Sequence, residues 1–364
     1  MRYALKEIAF EKKKYILIEL LLILLMFMVL FLSGLASGLG RAVSSAIETM
    51  DADSFIVDES AEKIITVSKV ETSLLEELRA KGLEAAPLNI QRMNIRKQGG
   101  DEKLNITYFA IEAGSFIEPE VIEGAGLSQS EADNAILLDD DFRTEGISVG
   151  DKVVDASAGT EFTVAGFVKD RMYGHTPVGY ITTDSYTKLR QTLSPGYVSE
   201  YHAVAVKGDD KQDIDTDKYE TVRKQDIIKN IPSYTAENMT ITMIVWVLVI
   251  ISAVVIGIFN YIMTLQKRRQ FGVMKAIGIS SGELACMLIS EVCIVSVFAG
   301  AVSLGLTFGM AAAMPEKMPF YLEVPNAVTV TAAFVVISVL SSLLSVINIS
   351  RIDPIIAIGG GDDE

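Results

Sequence analysis

Long apolar stretches run over residues 15–39, 241–265, 284–313 and 327–349 and divide the chain unevenly. Each approaches or exceeds the roughly 20 residues needed to cross a bilayer's hydrocarbon core. Between the first and second lie about 200 residues with no such stretch. The pattern predicts an integral membrane α-helical protein with four transmembrane helices, one followed by three. A large α+β extracytoplasmic domain falls between helices 1 and 2.

Inside that domain the periodicity changes. Residues 41–50 continue the helical pattern of the first span and predict a stalk. Short β-type runs follow at 54–57, 64–67, 90–95 and 104–111. A helical segment at 71–81 interrupts them, with Leu74, Leu75 and Leu78 on one face. From Ala135 an apolar strand leads to a short helix, then to strands at 152–154 and 161–168 turned by Gly150-Asp151 and Gly159-Thr160. Further strands are predicted at 179–182 and 203–206, with a capped surface helix over 183–191. The sheet region reads as small and antiparallel, and residues 208–230 as a polar, exposed approach to the second span.

Charge assigns sides. Arg2, Lys6, Lys12, Lys13 and Lys14 precede the first span, Lys267, Arg268, Arg269 and Lys275 follow the second, and Arg351 follows the fourth. Lys and Arg hold the flanks of a span in the cytoplasm. The three clusters agree on a cytoplasmic N-terminal segment (1–14), an outer domain (40–240), a cytoplasmic segment (266–283), an outer loop (314–326) and a cytoplasmic tail (350–364). The location is the plasma membrane, with both termini inside. The apolar core at 16–32 is longer than a signal peptide's 7–15 residues, so the first span is expected to be retained despite Ala36-Ser37-Gly38.

The net charge of −15 resides in the outer domain, where residues 38–240 hold 36 acidic and 21 basic side chains. An acidic domain argues against nucleic acid as a partner. The two cysteines, Cys286 and Cys293, both fall in the third span, so the outer domain has no disulfide. No nucleophile, zinc or phosphate-loop motif is present, which predicts a chain that is not an enzyme and binds no cofactor itself. Asp139-Asp140-Asp141 lacks calcium-loop spacing and reads as a solvated turn. Glu19 and Glu291 are carboxylates within spans: Glu19 lies close enough to the interface to snorkel, and Glu291 is expected to pack inside the bundle, protonated or hydrogen-bonded. Gly34-x-x-x-Gly38 and Gly305-x-x-x-Gly309 permit close helix approach, between copies or within one.

Between the second and third spans, Phe271, Met274 and Ile277 recur at helical spacing on a short, charge-flanked segment. They predict a small amphipathic helix against the membrane or a partner. Here the sequence resembles a known group. Residues 271–280, FGVMKAIGIS, are similar to the coupling helix of the MacB/FtsX-like ABC transporter permeases, with Gln270 where an acidic residue is more usual. Arg351-Ile352-Asp353-Pro354-Ile355-Ile356-Ala357 resembles the ending of that group, and GDKV…FTVAGF at 150–167 also matches. The opening ALKEIAFEKKKYILI and YGHTPVGYI at 173–181 resemble the DevC/HrtB branch, whose HrtB-type members are haem-efflux permeases.

The resemblance implies two copies of this chain working with two copies of a separate ABC ATPase, which holds the ATP and Mg. Phe271, Gly272, Met274, Lys275 and Gly278 would form the ATPase-coupling site. Haem export is likewise implied by the resemblance. Candidate haem contacts are Tyr173, His175 and Tyr234, which can ligate iron, and Met28 and Met243 as soft or adaptable groups. Each has a plainer reading as packing or as an interfacial anchor. Another amphiphile, such as a lipid, peptide or antibiotic, is the second choice of substrate. An FtsX-like relay of force to an extracellular enzyme is a different class, and a receptor with no ATPase a third.

Overall fold

The computed structural model of the chain describes residues 10, 12–208, 218–315 and 318–350. The predicted tail motif at 351–357 lies outside these residues, as do most of 1–11 and the centre of 208–230. The chain forms two compact units, one from residues up to 38 and from 239 onward, the other from 39 to 238.

The first unit is built on helices. Long helices are α1 (Lys12–Glu48), α5 (Tyr234–Gln266), α7 (Ser281–Ala313) and α8 (Val324–Ser350). The short α6 (Arg268–Ala276) stands between α5 and α7. All four long helices are long and apolar enough to cross a membrane. At 1.5 Å per residue, 33 residues reach about 50 Å, well beyond a hydrocarbon core of about 30 Å. Residues 41–48 are helical, as predicted for a stalk.

On α1, Tyr15, Ile18, Leu22, Met26, Val29 and Leu30 are buried. That three-and-four spacing is the stripe a helix presents in left-handed packing. Most of the stripe joins Ile256, Met263, Val295, Ala299 and Phe334 in one apolar cluster. A β-carbon on Gly300 would lie 2.8 Å from Thr331 Cγ2 and 3.5 Å from Met26 Sδ, so α1, α7 and α8 pass close at this level. Trp246, Ile250, Val254 and Ile258 form an apolar stripe on α5 that no other described part of the chain covers.

The Gly34–Gly38 pair does not mediate a helix crossing. It receives the segment before α8: a β-carbon on Gly38 would come 2.2 Å from Pro319 O, and one on Gly34 would strike the Phe320 ring. The Tyr321 N–H donates to Gly34 O at 3.0 Å. Gly305 and Gly309 face open space.

The second unit is α+β with a mixed sheet of eleven strands, larger than the small antiparallel region predicted. Its strands are β1 (Ser54–Asp58), β3 (Glu84–Lys97), β4 (Leu104–Ile111), β5 (Val121–Gly124), β6 (Ala135–Asp139), β7 (Lys152–Asp155), β8 (Glu161–Val168), β9 (Met172–Tyr173), β10 (Thr176–Thr182), β12 (Ala203–Lys207) and β13 (Tyr219–Arg223). The main path is β13-β1-β12-β3-β4-β10-β6-β8-β5, with β7 bridging β3 and β8. The pairs β10–β4 and β6–β8 are parallel. Strand β6, AILLD, is buried at every position. A continuous apolar run is what a strand between covered faces requires, and β6 sits between β10 and β8. A separate two-stranded pair joins β2 (Val70–Glu71) to β11 (Glu200–Tyr201).

Among the described residues, the end of α1 and three further helices cover the sheet. Helix α2 (Thr72–Ala80) buries Leu74, Leu75 and Leu78 against Ile56, Val204 and Val206. Helix α3 (Thr183–Leu193), N-capped by Thr182, buries Tyr186 and Leu189. Helix α4 (Lys224–Lys229) buries Ile227 and Ile228. With β13 it replaces much of the exposed approach predicted at 208–230, because Val222 and this Ile pair belong to the core. The run 64–67 is not a strand. Glu62 and Lys63 take positive φ, and a 3-10 turn follows over Ile65–Val67.

The aspartate run is not a solvated turn either. Asp139 is buried, and its carboxyl accepts the N–H of Asp141 at 3.1 Å and of Arg171 at 2.5 Å. Burial raises its pKa to about 8, with the two backbone N–H groups opposing. An unfolded Asp titrates near 3.9. Between the two values the folded state holds a proton that the unfolded chain releases, so stability falls as pH rises from about 4 to about 8. The melting temperature should therefore decline over that window and level off above it. Thermal scans of wild type and Asp139→Asn check this, since the decline should shrink in the variant.

Candidate functional site

Two places hold most of the residues that the sequence singled out, one in each unit. In the helical unit, α5 ends at Gln266 and α6 begins two residues later. The N–H of Lys267 donates to Met263 O at 3.1 Å, and the N–H of Phe271 to Lys267 O at 2.9 Å. Helical bonding thus carries through the junction. Gly278, with φ +98°, ends the segment in the left-handed region. Helix α7 then starts with a capping box, in which Ser280 accepts the Glu283 N–H and Glu283 accepts the Ser280 N–H.

The faces of α6 correct one expectation. Phe271, predicted to meet a partner, is 1% exposed and packs on Leu284 and Leu288 of α7, with Met274 partly buried beside it. Gly272 is buried as well. Large apolar side chains at helical spacing bury against whatever apolar face is nearest, and here that face is α7 of the same chain. The outward ridge consists of Val273, Ala276 and Ile277, and Ile277 is 74% exposed. Lys275 is half-buried.

Lys267, counted from sequence among the loop cations, is 3% exposed. Its ammonium lies 2.8 and 2.9 Å from the two carboxylate oxygens of Glu291 and donates to Tyr15 Oη at 2.9 Å. The Tyr15 hydroxyl donates to Glu291 in turn. Glu291 does pack inside the bundle, as predicted, and there it is ion-paired. Glu19 is half-buried, with one carboxyl oxygen lacking a partner among the described residues. The legible signal for the cluster was the cost of Glu291 in an apolar stretch, which demands a cation within reach; nothing local points to Lys267 or Tyr15.

In the sheet unit, the YGH segment is a two-residue hairpin. Tyr173 pairs with Thr176 across Gly174 and His175. Both central residues have positive φ, +58° and +60°, as a type I′ turn requires. The turn grips α1: the Gly174 and His175 N–H groups donate to Val43 O at 3.0 Å and Ala42 O at 2.9 Å. His175 Nε2 also pairs with Glu237 in the first turn of α5 at 3.0 Å. Tyr173 is buried with its ring edge-on to Phe109 at 5.5 Å, and burial pushes its phenol well above the ordinary tyrosine pKa. A phenol held neutral is a poor source of the phenolate that ferric iron prefers.

Tyr173 and His175 border a cleft of about 420 Å³, with Arg92, Thr107 and Pro232 among its walls. This volume falls in the range of small-molecule sites. Tyr234 is absent from this lining. It is half-buried and packs near Gly40 of α1. Met28 and Met243 are exposed on their helices in the other unit. His202, the second histidine, is structural: its Nδ1 accepts the Ile90 N–H at 3.0 Å, and burial lowers its pKa to about 4.

Long apolar helices, a short amphipathic helix between two of them and a large folded domain in the sequence between the first two define a multi-span membrane protein. Residues 242–354 match the FtsX-like permease C-terminal family. The chain is 30% identical to a protein named as a hemin transport system permease, HrtB, of Staphylococcus epidermidis, over 99% of this chain and 100% of the relative. The protein of the same name from Staphylococcus haemolyticus is 28% identical over 99% of both. An uncharacterized ABC transporter permease of Mycobacterium tuberculosis is 26% identical over 86% of both. The solved extracellular domain of the ABC-type transporter YknZ superposes at a TM-score of 0.31, with 16% identity, covering 44% of this chain and 84% of that one, too loosely to carry weight. The chain belongs to the FtsX-like permease family of ABC transporters, and such a permease implies an ATPase partner.

The packing of α6 yields a test. Phe271→Ala removes a buried ring, a change that typically costs about 3–5 kcal/mol. Helix α6 should loosen from α7, and trypsin should cut faster at Arg268, Arg269 and Lys275. Ile277→Ala, on the outward ridge, should leave the cleavage rate unchanged.

Proposed function

We propose that this chain is the permease of an ABC exporter in which two copies work with two ATPase subunits, and that it removes haem from the membrane. The observation that carries the coupling reading is the geometry of α6: Phe271 anchors it inward while Val273, Ala276 and Ile277 stand outward, free to seat in a groove of the ATPase. Gly272, Met274, Lys275 and Gly278 then shape the segment, and ATP-driven closure of the partner pushes on the exposed ridge. ATP and Mg belong to the partner, and the permease adds no chemistry of its own. Mechanotransmission would run through α1 and α5, whose ends residues 39–48 and 234–238 contribute to the sheet unit. Both termini and 266–283 are cytoplasmic and the sheet unit lies outside, a reading supported by exposed Arg268 and Arg269 even with Lys267 withdrawn into an ion pair.

Haem as substrate is supported by the full-length likeness to permeases named for hemin transport. The cleft beside the YGH hairpin adds a place for it: Arg92 could pair with a carboxylate of an anionic amphiphile, and His175 could ligate iron once its bond to Glu237 opens. Tyr173 would then form a wall rather than a ligand, and Tyr234, Met28 and Met243 stand apart from this cleft's lining. A different amphiphile, or a relay of force to an outer enzyme, would leave the coupling reading intact.

Two measurements test these parts separately. Ile277→Asp moves a charge into the proposed contact, at a cost on the order of 1–3 kcal/mol. It should cut co-purification of the ATPase several-fold while the permease remains folded; unchanged co-purification would remove the ridge from the interface. The purified permease should show a Soret band with haemin. Arg92→Ala should weaken binding about ten- to a hundredfold, since hydrogen bonds to charged groups contribute about 1.5–3 kcal/mol. Wild type without a Soret band, from a strain no more haemin-sensitive after deletion, ends the haem reading.

A further inference from the structure

The buried cluster of Tyr15, Lys267 and Glu291 is not accounted for by folding alone. It joins α1, the α5–α6 junction and α7 across 252 and 276 residues of sequence. Every donor of the Lys267 ammonium has an acceptor within reach: both Glu291 oxygens and the Tyr15 hydroxyl. The ammonium also stands 5.5 Å from the centre of the Tyr15 ring. Taking two such charges out of water is costly, and apolar residues of similar volume often serve stability as well or better. What the ion pair adds is a preferred geometry, because a shift of one helix pulls these two buried charges apart.

The surroundings point the same way. A cavity of about 30 Å³ lies against Tyr15 and Glu291, with Asn260 and Ser296 in its wall. Asn260 Nδ2 and Ser296 Oγ have no partner among the described residues. A space of that size holds about one water, which needs two to four polar neighbours, and these side chains supply them. The cluster thus borders a small, mostly apolar pocket whose wall holds two unpartnered polar atoms, so the packing beside it is not close.

Lys267 is also the last residue before α6, and its carbonyl accepts the N–H of Phe271, the anchor of that helix. Movement of α6 therefore reaches Lys267 within one turn. We propose that the Tyr15–Lys267–Glu291 cluster is the joint through which displacement of α6 is passed to α1, with Tyr15 as the positioning residue that ties the first helix to the Lys267–Glu291 pair. This rests on the reading of α6 as the ATPase-contacting segment.

The experiment uses the full chain with its ATPase in proteoliposomes and needs no substrate. Cys286 and Cys293 are replaced, and spin labels are placed at Leu17 of α1 and Val297 of α7, both exposed. The label distance is measured without nucleotide and with ATP and vanadate. Wild type should show a nucleotide-dependent shift. Tyr15→Phe should keep assembly, ATP hydrolysis and melting temperature but lose most of the shift. The double variant Lys267→Met/Glu291→Leu should melt at or above the wild-type temperature and lose the shift as well. A wild-type shift in either variant overturns the joint. A double variant that melts well below wild type overturns the claim that the pair serves geometry rather than stability. Ile277→Asp separates the two levels. If it abolishes the shift while Tyr15→Phe does not, only the joint fails. If it changes nothing, or if wild type shows no shift, the coupling reading of α6 fails and the joint with it.

Discussion

A charge in an apolar helix bundle constrains everything around it. Glu291 lies ten residues into α7, where apolar neighbours offer no water to solvate a carboxylate. Its cost is met here by Lys267, which the α5–α6 junction holds at hydrogen-bonding distance. The end of α5 sets the start of α6, and the position of α6 sets which of its side chains meet α7. Phe271 falls inward by this arithmetic, four residues after Lys267, and Val273 and Ile277 fall outward. One ion pair therefore orients a surface on which neither of its members appears.

Much of the architecture was legible because it follows from strong, local signals. Four apolar stretches, the leucine face of α2, the strand 104–111 and the hairpin-bounded 161–168 all depend on patterns within a dozen residues. The sheet's order was not legible, since parallel pairing of β4 with β10 and of β6 with β8 joins segments far apart, and hydropathy does not record which neighbour a strand takes. The one available clue was β6, whose unbroken AILLD run marks a strand covered on both faces. Residues 64–67 have strand-forming composition, yet positive φ at Glu62 and Lys63 turns the backbone before any partner is met.

The site was legible in kind but not in role. Basic residues beside a span read alike from sequence, whether they face water or, like Lys267, an internal carboxylate. The apolar positions of α6 read as one face, but the amphipathic stripe is split between its own bundle and the outside. Gly34 and Gly38 show the same limit. Small residues four apart announce a close approach without saying what approaches, and here it is the Pro319–Phe320 backbone and ring rather than another helix.

The YGHTPVGY stretch shows how structural need can imitate a binding motif. Gly174 and His175 supply the two positive φ values of a tight turn. Gly179 gives room to Ile106, whose Cδ1 would lie 2.5 Å from a β-carbon there. Tyr173 and Tyr180 both pack edge-on to Phe109. Each of these residues has a role before any ligand is considered, so the stretch carries the fold of this domain more directly than it carries substrate chemistry. What the hairpin contributes to function is position. Its backbone holds the end of α1, its imidazole holds the start of α5, and its outer edge forms one wall of the cleft. A movement of either helix end would therefore be felt at that wall. If the cleft binds substrate and the helices transmit force as proposed, the same two-residue turn stands at both.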